Sequence, residues 1–397
     1  MYSSWPFVPF IEAVDILDNL RKPINSKERQ KRINGKTAKE LFPYYGATGQ
    51  VGMIDGYLSD GEYVLLGEDG APFLDSFANK AYIISGKAWV NNHAHVLRSK
   101  TNNQFLCYYL NYFNYKGYVS GTTRLKLTQA DMKRIHVPVP PVKEQERIVA
   151  RIEELFSQLD KGVETLQKTK QQLSVYRQAV LKDAFDTAMK SCEGLTPIDK
   201  LLATDRKGMA TGPFGTMLKK HEHQKLGVPV LGIENIGEGK FVDGNKIFVT
   251  EEKAQELKAF SLKAGDIIIS RSGTVGEICS VPKRMEGALL STNLMRVSLD
   301  LQKVLPEYFI YLFRSKGVVL DQVKELCKGS TRIFLNQSIL KQISFPIPSI
   351  KKQGQLLAEV EERLSVCDGI EKTVDIALQQ AEAMRQSILK QAFEGRL

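Results

Sequence analysis

Two stretches of the chain place apolar residues every three, four or seven positions. In the first, the apolar residues are Ile148, Ile152, Leu155, Leu159, Val163, Leu166, Leu173, Tyr176, Val180 and Ala184. In the second they are Leu356, Val360, Leu364, Cys367, Ile370, Val374, Ala381, Met384, Ile388 and Ala392. This spacing predicts one apolar stripe along each of two long helices, 143–188 and 351–397. The Pro-rich lead-ins HVPVPP, from His136, and FPIPS, from Phe345, mark their entry points, because proline suits a helix start and not its interior. A helix from 142 to 188 would run roughly 70 Å at 1.5 Å per residue. Gly162 and Gly369 fall inside these patterns and weaken them by up to about 1 kcal/mol each, serving either a close approach or a bend.

The remaining segments alternate short β-rich runs with turns. YVLLGEDG, KAYIISG and KAWVNNHAHVLR read as strands in 1–142, and GVPVLGIENIG, KIFVT and GDIIISRSGTVGEICSV in 189–350. Aromatic amphipathic helices are expected near 105–115 and 308–313, their stripes serving as core. The fold class is α+β: two mixed globular heads, 1–142 and 189–350, separated by two long antiparallel spacer helices.

The chain repeats itself. From Thr123 to Phe185 and from Thr331 to Phe393 the offset is 208 without a gap, and 24 of 63 positions are identical. Upstream, Tyr108, Phe113, Lys116 and Gly117 match Tyr308, Phe313, Lys316 and Gly317 at an offset of 200, and Gly49–Ile54 weakly resembles the segment from Gly273 to Ile278. A period near 200 is a domain duplication. Each helical stripe must be buried, and the matching stripe of the other copy is the natural partner. Antiparallel pairing would return the C-terminus to the first head and leave the two heads inverted about a pseudo-two-fold axis.

Charge sharpens this picture. The 397 residues carry 55 Lys and Arg against 45 Asp and Glu, a formal charge of +10. The excess lies in the two heads, while the helices are close to neutral, which suits a polyanionic partner for the heads. Arg21–Lys39 is especially basic, with Arg29, Lys31, Arg32 and Lys36 opposed only by Glu28. Gly-, Ser- and Thr-rich segments follow: YYGATGQVG in the first head, TGPFGTMLKK and SRSGTVG in the second. Such loops let backbone amides approach phosphates, though any one of them also reads as a solvated loop.

No self-contained chemistry is spelled out. NGKT would need a glycine where Gln30 stands to be a Walker loop, and GEGKFV lacks the third glycine of a dinucleotide loop. The pairs His93/His95 and His221/His223 have no third ligand, so a structural role is expected and no metal. Neither a methyltransferase Asn-Pro-Pro-aromatic motif nor a nuclease core appears. No catalytic residue is assigned. The five scattered cysteines, Cys107, Cys192, Cys279, Cys327 and Cys367, include no Cys-x-x-Cys, and no run reaches the ~20 apolar residues of a membrane span. The N-terminus lacks the basic start and apolar core of a signal peptide. A reduced, cytoplasmic chain is expected.

Several segments together resemble a known family, the specificity (S) subunit, HsdS, of prokaryotic type I restriction–modification systems. They are YYGATGQVGMIDGYLSDGEYVLLGEDGA, NNHAHVL, TTRLKLTQADMKRIHVPVPPVKEQERIVARIEEL, TGPFGTMLKK, GDIIISRSGTVG and the C-terminal QSILKQAFEGRL. The resemblance implies two target recognition domains, each reading one half of a bipartite site on double-stranded DNA. It also implies spacer helices that set the gap and dock two methyltransferase (M) subunits, with restriction/translocase (R) subunits joining the assembly. S-adenosylmethionine, ATP and Mg2+ would belong to those partners, and this chain would hold no cofactor. The expected DNA-contacting residues are Arg29, Lys31, Arg32, Lys36, Tyr45, Thr48, Arg124 and Lys126 in the first head. In the second they are Thr216, Lys219, Lys220, Arg271, Thr274 and Arg332. Arg124 and Arg332 occupy equivalent repeat positions, which fits a shared structural or phosphate contact as well as base readout. The competing readings are a coiled-coil scaffold that does not touch DNA and a self-contained DNA-modifying enzyme.

Overall fold

The computed structural model describes residues 5–213, 217–272, 275–315, 319–326 and 335–397. Its principal helices are α1 (Ser26–Ile33), α2 (Asn103–Tyr112), α3 (Val142–Lys190), α4 (Pro306–Arg314) and α5 (Ile350–Phe393). The chain divides into two units: 1–168 with 374–397, and 169–373. Each unit thus joins one head to a portion of both long helices.

In unit 1 a four-stranded antiparallel sheet runs in the order Val14–Ile16, Ala94–Ser99, Tyr63–Gly67, Ala81–Ile84. A second, mixed sheet runs Gln50–Ile54, Phe42–Tyr45, Lys87–Val90, Ser59–Asp60, with its middle pair parallel. Unit 2 repeats this plan although its sequence has diverged. Its antiparallel sheet is Met209–Thr211, Leu294–Val297, Ile267–Ser270, Ile278–Ser280, and its mixed sheet is Ile247–Val249, Val228–Leu231, Leu289–Leu290. The similarity noted between Gly49–Ile54 and the segment ending at Ile278 is therefore not structural. The strand Gln50–Ile54 corresponds to Ile247–Val249, whereas Ile278 opens a strand of the other sheet.

Both units lead into a long helix in the same way. Phe7–Pro9 pairs antiparallel with His136–Pro138, and Leu195–Pro197 pairs with Ser344–Pro346 in the same register. The chain then passes through proline into α3 or α5. At repeat-equivalent positions, Gln145 and Gln353 are fully buried and donate back to the carbonyls of Pro140 and Pro348, both at 2.8 Å. The carbonyl oxygen of the Gln145 side chain accepts from the Thr101 hydroxyl at 3.0 Å, and that of Gln353 from the Leu305 N–H at 3.0 Å. A buried amide must be satisfied, and here each satisfies itself by clamping its helix start to its head.

The far ends of the helices close the heads. In unit 1, Leu389, Ala392 and Phe393 of α5 join Ile148 and Ile152 of α3 in the core with Phe105, Tyr109 and Leu110 of α2. In unit 2, Val180, Ala184 and Phe185 of α3 join Leu356 and Val360 of α5 in the core with Tyr308, Phe309 and Phe313 of α4. The Phe393 ring meets Tyr109 edge-on at 5.3 Å, and the Phe185 ring meets Tyr308 edge-on at 5.5 Å. Tyr308 is thus the counterpart of Tyr109 rather than of Tyr108. The portions of α3 and α5 within each unit run antiparallel: Arg147 donates to the Leu397 carbonyl at 2.9 Å and Asp160 pairs with Arg385 in unit 1. In unit 2, Arg177 pairs with Asp368 at 2.7 Å and Asp183 with Arg363 at 3.1 Å.

Three members of the predicted stripes lie outside the seam. Tyr176, Ile370 and Met384 are 45%, 41% and 57% exposed. A straight helix of 3.6 residues per turn drifts away from a seven-residue repeat by about 20° per heptad, so a stripe drawn at steps of seven overshoots the buried face. A Cβ added to Gly162 or Gly369 would meet nothing within 4 Å, so neither serves a close helix approach.

Both tryptophans, Trp5 and Trp89, lie in unit 1, so their fluorescence reports on that unit. Phe393→Ala removes a ring from its core and should cost about 3 kcal/mol or more. The urea midpoint followed by tryptophan fluorescence should fall well below that of Phe185→Ala, whose cavity opens in unit 2. Equal midpoints would contradict the assignment of Phe393 to the first head.

Candidate nucleic-acid interface

The mixed sheet of unit 1 carries an unusual helix at its edge. Within α1, SKERQKRI, no side chain is fully buried. Its start is set by Asn25, whose side chain accepts from the Glu28 N–H at 2.8 Å, and its end by Gly35 with φ +75°. Arg29 and Arg32 hold it on the sheet. The Arg29 guanidinium lies 4.9 Å from the centre of the Tyr44 ring and against Gly52. That of Arg32 lies 4.8 Å from the Trp89 ring centre and pairs with Asp55 at 2.6 Å. Partly desolvated cation–π contacts of this kind stabilise by about 1 kcal/mol each. The two arginines expected at DNA are thus half-buried anchors, while Lys31 faces solvent and Lys36 pairs with Glu40 at 3.5 Å.

A charged network lies beneath the neighbouring loops. His95 is fully buried between the Asp18 carboxylate, at 2.8 Å, and the Leu127 carbonyl, at 3.1 Å. Burial pushes the Asp18 carboxyl up, but the hydrogen bond and charge of His95, the Val96 N–H and Arg21 outweigh it and hold it below the usual range. Arg21 also pairs with Glu68, which in turn pairs with Lys126 at 3.2 Å. Asp69 pairs with Arg124 at 2.6 Å and with His93 at 2.7 Å. His93 and His95 each meet a carboxylate, and among the described residues no group of three or more His, Cys, Asp or Glu side chains could hold a metal. Arg124 and Lys126 reach the surface with carboxylates behind them. The acidic partners, in the turn GEDG, were in plain view in the sequence but were read only as strand and turn.

Tyr45 stands 6.0 Å from Tyr82, whose hydroxyl donates to the Gly46 carbonyl at 2.5 Å, and Thr48 is exposed in the loop between the two strands. Five cations of this face, Lys22, Lys27, Arg29, Lys31 and Lys39, have no carboxylate within ion-pair distance among the described residues.

In unit 2 the exposed Lys219 and Lys220 stand at the start of a short turn, Lys220–Glu222, beside the mixed sheet. Lys246 leads into its edge strand, Ile247–Val249, and Lys225 follows Gln224, which bridges to Phe248. All four lysines are exposed. Arg271 is corrected from a DNA contact to an interior residue: it is 6% exposed and donates to the carbonyls of Thr292, at 3.1 Å, and Leu335, at 3.3 Å. Burial lowers its pKa below the ordinary arginine value. Thr216, Thr274 and Arg332 lie outside the described residues. Both heads therefore place exposed lysines near the same edge of the same sheet, Lys27 and Lys31 on α1 beside Gln50–Ile54 in one and Lys219, Lys220, Lys225 and Lys246 around Ile247–Val249 in the other.

This architecture matches a known domain twice over. The model of the type I restriction modification DNA specificity domain matches residues 8–174 and again 214–380. The chain belongs to that family. Among its relatives is a Haemophilus influenzae chain provisionally assigned as type I restriction enzyme specificity subunit S.HindORF215P, 28% identical over 94% of this chain and 91% of that one. The specificity subunit of the type I restriction enzyme EcoKI from Escherichia coli is 26% identical over 70% of this chain and 61% of its own length. A solved chain from work on complex assembly and conformational transition of the type I R-M system superposes with a TM-score of 0.70 over the whole of both chains, at 15% identity. The HsdS subunit of Thermoanaerobacter tengcongensis does so at 0.50, covering 100% of this chain and 98% of that one at 14% identity.

The Asp18 arrangement has a pH signature. Its native carboxyl titrates below the ordinary aspartate range, so its contribution is complete above that range and is lost as pH falls through the depressed native value. The gap in urea midpoint between the natural chain and Asp18→Asn should be widest near pH 6 and close toward pH 3. A gap that widens on acidification would contradict the depressed carboxyl.

Proposed function

We propose that this chain is the sequence-reading, non-catalytic member of a type I restriction–modification assembly. Each head reads one half of a bipartite double-stranded DNA site, and the two half-sites differ because the heads do. The observation that carries this reading is the recurrence of exposed lysines near the equivalent sheet edge of both heads, in a chain built from two DNA specificity domains. Lysines there neutralise phosphates and release counterions, which makes affinity fall steeply with salt. Side chains reaching base edges supply the discrimination.

The paired helices set the gap between the half-sites and offer docking faces to two methyltransferase subunits. Val175 and Val366 on the helices of unit 2, and Ile376 and Met384 on α5 in unit 1, are exposed apolar residues that fit such a role. Restriction/translocase subunits join the same assembly. Adenine methylation and cleavage, with S-adenosylmethionine, ATP and Mg2+, belong to those partners. Among the described residues no helix is long and apolar enough to cross a membrane.

The test is to map methylated adenines in cells that make the chain with its methyltransferase subunits. Shortening α3 by two turns, with the matching turns of α5, should shorten the unspecified gap and leave both half-sites unchanged. Altered half-site identity at an unchanged gap would contradict the assignment of spacing to the helices.

A further inference from the structure

We infer that α1 is the base-reading helix of the first head and that Gln30 and Asn34 determine its half-site. The inference rests on the DNA-reading function proposed above and deepens it.

At about 100° per residue, Lys27, Gln30, Lys31 and Asn34 fall within one 100° arc of the helix, while Arg29 and Arg32 fall on the opposite side. The structure shows that division. Arg29 and Arg32 are half-buried on Tyr44 and Trp89, and the other four side chains are exposed. None of those four forms a hydrogen bond or ion pair with another described residue. The polar outer face is thus presented rather than used internally. The helix has no apolar face to bury, so its position is fixed by its arginines from behind.

The chemistry of the free face fits one occupant, the major groove of duplex DNA. An α-helix with side chains is 10–12 Å across and the groove is about 12 Å wide. Gln and Asn side chains pair in bidentate fashion with the N6 and N7 edge of adenine, and Lys with the O6 and N7 edge of guanine. Lys22 and Lys39, on the flanks of the same helix and free of carboxylates, complement the phosphates that border the groove. Unit 2 arranges its equivalent edge differently: a three-residue turn precedes the strand Val228–Leu231, and a helix, Glu251–Glu256, follows the edge strand and opens with two glutamates, Glu251 and Glu252, where α1 is basic. The two heads therefore differ at this edge, and only the first carries a basic helix there.

Gln30→Ala and Asn34→Ala, made separately in the full chain with its methyltransferase subunits, test this. Both side chains are exposed and uncontacted, so thermal unfolding of the complex should be unchanged. The methylated sequence mapped across the genome should relax at one base pair of one half-site for each variant, with discrimination there falling by roughly tenfold to a hundredfold. The other half-site and the gap should stay as they were. A motif unchanged by either variant, or methylation weakened equally at every sequence, would overturn the assignment and leave α1 as a phosphate contact at most. If the natural chain and its partners yield no bipartite motif at all, the DNA-reading function itself fails, and the role of α1 falls with it.

Discussion

Each head is closed by two helix ends that come from different places in the sequence, and this closure constrains everything else. The start of one long helix and the finish of the other share a core with a short aromatic helix, α2 in unit 1 and α4 in unit 2. Neither head has a complete core without both. That requirement forces the antiparallel pairing of the helix portions in each unit and places Phe393 under the first head.

The same constraint explains where the two copies remained alike. The identical positions Gln145/Gln353, Asp160/Asp368, Arg177/Arg385 and Phe185/Phe393 make the same contacts in each unit: a helix start clamped to a proline carbonyl, an ion pair along the helix pair, and a ring in the core. Exposed ion pairs contribute little stability, so the buried glutamines and phenylalanines fix the geometry. The sheet edges face no such requirement. They diverged in sequence while keeping strand order, leaving a basic helix on one edge and a helix that begins with two glutamates on the other.

Helix existence, the duplication and the antiparallel pairing were legible in the sequence because they rest on periodicity and on an offset that holds across 63 positions. The correspondence of the two heads was not legible, because strand order is set by long-range pairing that residue identity no longer records; Gly49–Ile54 was matched to the wrong strand for that reason. Basic residues were visible, but their partners were not. Arg271 turned inward to carbonyls of distant segments, and Arg29 and Arg32 found aromatic rings contributed by two other strands. A count of cations shows how much charge a head carries. Only the fold shows which of it is free.

The central claim is that reading is divided between the two heads and that chemistry lies with other subunits. Its most direct measurement is a head exchange: residues 10–135 are replaced by the corresponding part of a relative with a different recognition sequence, and adenine methylation is mapped in cells. The account predicts a hybrid sequence in which one half-site is replaced and the other, with the gap, is retained. Replacement of both half-sites, or of neither, would contradict it.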